Sequence, residues 1–166
     1  MEPGKATQAA NEPVAQTAEA IARTLKLGNG LGFLVRLVNT RANLLYQELT
    51  GQADITPRQF GALLVLYQGG TLTLTELASR ISVDRSTLTE MVRRMVREKL
   101  IVKSDNGDDR RSAVVSLTQE GTEALMRLVP GAANLQGALL APIPPGERRQ
   151  FIRWMMLVAG GEDTRD

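Results

Sequence analysis

A chain of 166 residues with a formal net charge of +2, 43% apolar and 23% charged residues, can bury one domain core and carry a helical extension. It has neither cysteine nor histidine, which removes disulfides, thiol nucleophiles, thiol redox sensing, the usual zinc ligands and the usual general base. Enzyme and metal readings therefore lose their parts, no cofactor is expected, and the absence of a bilayer-length apolar run or signal-peptide core points to a cytoplasmic protein with no membrane role.

Residues 1–13 read as a disordered N-terminus. Residues 14–54 read as helices for dimerisation, beginning with a narrow apolar stripe of Val14, Ala18, Ile21 and Leu25. Over Leu31 to Leu49, Leu34, Leu37, Val38 and Leu45 share one side at helical spacing, and Arg41 falls in the middle of it with Glu48 two turns on. A guanidinium facing a core needs an anionic partner, because an unpaired buried charge costs several kcal/mol. Glu48, an acid across a dimer, or the carboxylate of a bound ligand would each serve. Phe60, Leu64 and Tyr67 on the next helix could wall an aromatic ligand, and serve equally well as core.

Three helix starts then fix the register of the centre. Thr56 and Gln59 form a capping box with Pro57 at the first helical position, and that helix is expected to end at Gly69-Gly70. Thr73 and Glu76 form a second box, opening a short helix that ends near Ile81. Asp84 caps a third helix, its charge favouring the N-terminus, which runs to about Lys99. Two helices joined by the tight linker Ser82-Val83 make a helix-turn-helix, a unit that either reads DNA or merely packs.

The outer face of the second helix distinguishes the two. Leu88, Met91, Val92 and Met95 fall on the core side, leaving Ser86, Glu90, Arg93 and Arg97 opposite, flanked by Thr89 and Arg94. Short hydrogen-bonding groups at the start can reach base edges, and long cations further along can meet phosphates. An ordinary solvated face, with Glu90 paired to Arg94, is the alternative. A protein-binding helix would instead show apolar anchors here, so a winged-helix interaction module is the second reading of function.

After Leu100 the period drops to two. Ile101–Lys103 and Ser112–Leu117 read as strands, with Ala113, Val115 and Leu117 on one face, joined by a polar loop from Ser104 to Arg111 that contains Asn106-Gly107. This is a hairpin with cations at its end, and Arg110 and Arg111 follow the braces Asp108 and Asp109. An arginine held at such a tip can enter a narrow minor groove. Between Arg80 and Arg111 nine Lys or Arg stand against six Asp or Glu, a modest cationic excess.

Leu74-Thr75-Glu76-Leu77-Ala78, Asp84-Arg85-Ser86-Thr87-Leu88-Thr89, and Asp108-Asp109-Arg110-Arg111-Ser112 followed by Val115-Ser116-Leu117-Thr118-Gln119-Glu120-Gly121 together resemble the MarR family of bacterial winged-helix regulators. The resemblance extends from about Leu31 to Val158. It implies a mainly α fold with a small β wing, a homodimer built from N- and C-terminal helices, and two lobes on double-stranded DNA. It also implies a small effector, commonly an aromatic acid or phenol, bound where lobe and dimer helices join. Ser86, Thr87, Thr89 and Arg93 take the recognition-helix positions, and Asp109, Arg110 and Arg111 the wing positions.

The expected layout is thus a DNA-binding lobe over 55–118, C-terminal dimerisation helices over 119–160 and a flexible tail over 161–166. Lys99 stands where the family has a glycine after the recognition helix. Pro130-Gly131 predicts a kink or break in the long helix after Thr118, and Pro145 suits the first position of the last helix. That helix, to Ala159, carries Phe151, Trp154, Met155 and Val158, more apolar surface than one small lobe covers. The function expected is a ligand-released repressor on an inverted-repeat operator, with no catalytic and no metal-binding residues.

Overall fold

The computed structural model describes residues 12–51, 54–106 and 109–160; the expectations for residues 1–11 and 161–166 lie outside the described residues. The chain divides into two compact units, residues 1–40 and 41–166. In the first, α1 spans Glu12–Thr24, starting two residues before the expected boundary. A 3-10 turn at Leu27–Asn29 leads to α2, Leu31–Leu49, which crosses the boundary between units. The Gly30 carbonyl accepts from Phe33 and Leu34 at 3.0 Å each, which starts α2 without a side-chain cap. Arg36 lies over the Phe33 ring at 5.1 Å.

One expectation for α2 is overturned. Leu34, Leu37 and Val38, assigned to a buried side, are exposed, and so is Arg41. Helical periodicity identifies a shared face but not what covers it. The requirement for a buried anionic partner therefore falls away, and among the described residues neither Arg41 nor Glu48 forms an ion pair.

The second unit continues with α3 (Pro57–Gly69), β1 (Leu72–Thr73), α4 (Leu74–Arg80), α5 (Arg85–Arg97), β2 (Ile101–Asn106), β3 (Asp109–Leu117), α6 (Gln119–Leu140) and α7 (Arg148–Val158). The three strands form an antiparallel sheet in the order β1-β3-β2, giving the expected mainly α fold with a β wing. Its core joins Leu63 and Leu66 of α3, Leu77 of α4, Leu88, Val92 and Met95 of α5, Ile101 and Val115 of the sheet, and Leu125 of α6. Each such buried side chain stabilises by about 1.5–3 kcal/mol, so this cluster fixes the attitude of α5.

The expected caps form. Thr56 N–H donates to Gln59 Oε1 at 2.9 Å, and Gln59 N–H to Thr56 Oγ1 at 3.3 Å. In the second box Thr73 N–H donates to Glu76 at 2.8 Å. Both helices of the helix-turn-helix end in a left-handed residue that is not glycine. Ser82 has φ 52° and Lys99 φ 58°. Val83 N–H reaches Ala78 O at 3.1 Å and Leu100 N–H reaches Met95 O at 2.9 Å, the six-to-one bond of a Schellman ending. The end after α5 thus keeps the geometry a glycine would favour while Lys99 bears the strain. Lys99→Gly should raise the melting temperature by one or two degrees. Left-handed backbone costs a side-chain-bearing residue roughly 1 kcal/mol, partly offset by glycine's larger unfolded-state entropy. Thermal melts followed by circular dichroism check it.

Elsewhere the structure corrects the sequence reading. Strand β1 was unforeseen: Leu72 pairs with Val115 and Thr73 with Val114, so Thr73 both ends a strand and caps α4. The wing strands are longer than expected, with Ser104 opposite Val114 and Asp105 opposite Ala113, because a solvated ribbon accommodates polar side chains as readily as a loop. The long helix does not break at Pro130, which lies inside α6; the proline forfeits one backbone bond. Next to it, a Cβ on Gly131 would stand 2.2 Å from the Leu49 carbonyl oxygen, so the glycine permits α2 and α6 to touch backbone to backbone. Finally, Pro145 belongs to a turn closed by Glu147 N–H on Pro144 O at 2.9 Å, and α7 starts only at Arg148.

Candidate nucleic-acid interface

Helix α5 buries Leu88, Val92 and Met95, and Met91 packs half-buried beside them. The opposite side is thereby fixed outward, and Ser86, Thr89, Glu90, Arg93 and Arg97 are exposed, with Thr87 half-buried at the edge.

The start of the helix is organised by one carboxylate. Asp84 accepts the Thr87 amide at 2.9 Å, the Thr87 hydroxyl at 2.6 Å and the Ser86 hydroxyl at 2.5 Å. The Ser86 and Thr87 hydroxyls are donors to that carboxylate, so their lone pairs are what they present outward, suited to the amino groups of cytosine or adenine. Thr89 similarly donates to Arg85 O at 2.8 Å. These same bonds, the Ser86 hydroxyl foremost, hold the Asp84 carboxyl well below the usual carboxylate range. A carboxylate depressed in the folded state stabilises fully above its unfolded value of about 3.9, and the contribution is lost as pH falls through the folded value. Asp84→Asn, which keeps an acceptor oxygen, should flatten the stability profile below about pH 4, read from acid titration of ellipticity.

Along the rest of the face the cations differ in how they are held. Arg93 stands 3.8 Å from Glu90, three residues back, with both side chains largely exposed, a weak pair that DNA could replace. Arg94 does not pair with Glu90 as the alternative reading supposed: its Nε donates to Glu98 Oε1 at 2.7 Å. Arg97 has no ion pair among the described residues. An open groove of about 500 Å³ lies along this helix, walled by Ser86, Thr87, Glu90 and Arg94 on one side and Thr56 and Arg58 on the other.

Asp109, Arg110 and Arg111 belong to β3 by their backbone; their side chains lie outside the described residues, as do Gly107 and Asp108. The register shifts between Asp105 and Asn106, so Arg110, Arg111 and Ser112 fall between the Asp105–Ala113 and Asn106–Asp109 pairs. A ribbon interrupted in this way bends and twists locally.

The four residues assigned to an effector are not brought together as one buried wall. Phe60 and Leu64 are half-buried, whereas Tyr67 and Arg41 are exposed. Sequence reading missed Tyr46, which is 2% exposed. Its ring centroid lies 6.0 Å from that of Phe60, and its hydroxyl has no hydrogen-bond partner among the described residues. Burial pushes the phenol up to about 12, so it remains a neutral donor. An unpaired buried hydroxyl costs about 1–3 kcal/mol, and its only sequence signal was a tyrosine next to Leu45 on the inward side of α2. Among the described residues no group of His, Cys, Asp and Glu could hold a metal ion, and no helix is long and apolar enough to cross a membrane.

This geometry has counterparts among known proteins. A family model, that of the MarR family, matches residues 55–113. The organic hydroperoxide resistance transcriptional regulator of Bacillus subtilis (strain 168) is 34% identical over 116 residues, 70% of this chain and 76% of that protein. Among solved structures, the PcaV transcriptional regulator from Streptomyces coelicolor with its natural ligand superposes at TM-score 0.77 and 28% identity, covering 82% of this chain and 96% of that one. A mutant MarR from E. coli complexed with operator DNA gives TM-score 0.71 and 27% identity over 77% of this chain and 92% of that one.

Proposed function

The chain belongs to the MarR family of transcriptional regulators, and from that premise we propose that it is a repressor whose homodimer binds an inverted-repeat operator and is released by a small aromatic or phenolic acid or its thioester. The observation that carries the DNA reading is α5, whose outward face is polar and cationic from Ser86 to Arg97 while its inner face is locked into the core. Ser86, Thr87, Thr89 and Glu90 would meet base edges, Arg93 and Arg97 bases or phosphates, and Arg110 and Arg111, braced by Asp109, the minor groove. The operator complex of the E. coli relative is consistent with this docking.

Two further features support the dimer and the effector. Trp154 is 58% exposed on α7, beside exposed Met156, Leu157 and Val158; surface of this kind fits a second copy of the chain. The Tyr46 hydroxyl, next to Phe60, would be satisfied by an acceptor on an aromatic ligand, and the exposed Arg41 would be free to meet an acid group from outside the single chain. The PcaV regulator is solved with its natural ligand, which supports an effector for this chain as well. Although the B. subtilis relative is named for hydroperoxide resistance, the sequence here has no cysteine for a thiol switch.

The test is selection from pooled random duplexes, followed by salt titration of the selected site. The expected result is an inverted repeat with half-sites about one helical turn apart and affinity that falls steeply with salt. Weak, salt-insensitive binding to every duplex would refute the proposal. Release of the complex by aromatic carboxylates, phenols or their coenzyme A thioesters, and its loss in Tyr46→Phe and Arg41→Ala, tests the effector.

A further inference from the structure

Gln59 stands at the start of α3, 39 positions before Glu98, yet its side chain reaches that residue: Gln59 Nε2 donates to Glu98 Oε2 at 3.3 Å. Gln59 is 2% exposed, so its side-chain amide is buried. Its amide cannot turn round, because Oε1 already accepts from the Thr56 amide at 2.9 Å and the Thr56 hydroxyl at 3.0 Å. The nitrogen is therefore committed to Glu98. Glu98 in turn lies just past the C-terminus of α5, where an acid opposes the helix dipole and is disfavoured without partners. It has two: Gln59 on Oε2 and Arg94 Nε on Oε1 at 2.7 Å. Among the described residues the Arg94 guanidinium is bonded to Glu98 through Nε alone, and it lines the groove along the recognition helix, where Ser86, Thr87 and Arg58 also stand. A surface pair on one helix would hold the arginine only loosely; here its carboxylate is anchored to a buried amide on another element.

Resting on the DNA reading above, we infer that Gln59 is a positioning residue for DNA binding: through Glu98 it holds Arg94 aimed at a backbone phosphate. The arginine is ordered before DNA arrives, so the entropy of ordering it is not lost on binding.

The bystander alternative gives the opposite sign. Removing Glu98 deletes a negative charge close to the DNA face, which by electrostatics alone should tighten binding. On the inference, Glu98→Ala weakens it. The experiment measures affinity of the full chain for a mixed-sequence duplex three helical turns long at low salt, for the parent, Glu98→Ala, Gln59→Met, Arg94→Ala and the double variants with Arg94→Ala. Glu98→Ala and Gln59→Met should each lose roughly two- to tenfold, the cost of ordering one long side chain on binding. Both losses should vanish in the Arg94→Ala background, which itself lowers the salt exponent by about one. Should Gln59→Met fail to fold, Glu98→Ala with its double variant carries the test. Unchanged or tighter binding by Glu98→Ala, parent-like binding by a folded Gln59→Met, or a loss that persists without Arg94, overturns the inference. A parent that binds no duplex overturns the DNA reading itself.

Discussion

Gly121→Ala is expected to destabilise the folded lobe severely. A Cβ built on Gly121 stands 1.9 Å from the Leu100 carbonyl oxygen and 2.9 Å from the Leu100 carbonyl carbon. Both are backbone, and the backbone there is pinned. Leu100 N–H closes the end of α5 on Met95, Thr118 N–H donates to Leu100 O at 3.2 Å, and the Thr118 hydroxyl reaches Lys99 O at 2.6 Å. Thr118 also accepts the Gly121 amide at 2.9 Å as the cap of α6. To admit one methyl group, α6 must move away from the corner that fixes the recognition helix, and Leu125 must leave the core with it. Overpacking of a tight core typically costs 1–3 kcal/mol, and an overlap with immobile backbone lies at about the upper end or beyond. Marginal domains lose much of their stability to such a change. The expected observation is a melting temperature lowered by about ten degrees or an absent transition, with duplex binding lost in parallel. A parent-like melt would show that the corner can open without cost.

The wing prediction separates function from fold. Arg110→Ala with Arg111→Ala should weaken duplex binding by roughly ten- to a hundredfold and lower the salt exponent by about two, one for each cation taken from the phosphates or minor groove. The stability of the lobe should barely change, since among the described residues of this strand Val115 and Leu117 are the ones packed into the core. Exposed charge pairs contribute only about 0–1 kcal/mol. Fluorescence anisotropy across a salt series, beside a thermal melt, reads both quantities. Parent-like affinity would mean that the wing does not touch DNA. A collapsed melt would mean that the arginines hold the ribbon together instead.

Much of the lobe was legible from residue order because its signals are local. The Thr56–Gln59 and Thr73–Glu76 boxes and the Asp84 cap depend on groups three residues apart, so the sequence places both partners. The outward face of α5 follows from periodicity once Leu88, Val92 and Met95 are assigned to the core. The strands were found but cut short, because polarity at Ser104 and Asp105 reads alike for a loop and for a solvated ribbon.

What the sequence determined by itself, then, is where helices begin, which face of each is apolar, and that cationic side chains cluster on α5 and the wing. Tertiary structure alone decided what lies against each face. Arg41 has a core-like pattern but is exposed in the single chain, since a pattern does not name its partner surface. Tyr46 is buried without a partner for its hydroxyl among the described residues. Pro130 sits inside an unbroken helix, because packing can outweigh one lost backbone bond. Gln59, legible as a cap, meets Glu98 from 39 residues away, a contact that exists only because the core brings the start of α3 to the end of α5. Local rules act within a few residues; contacts between elements depend on how the whole core closes.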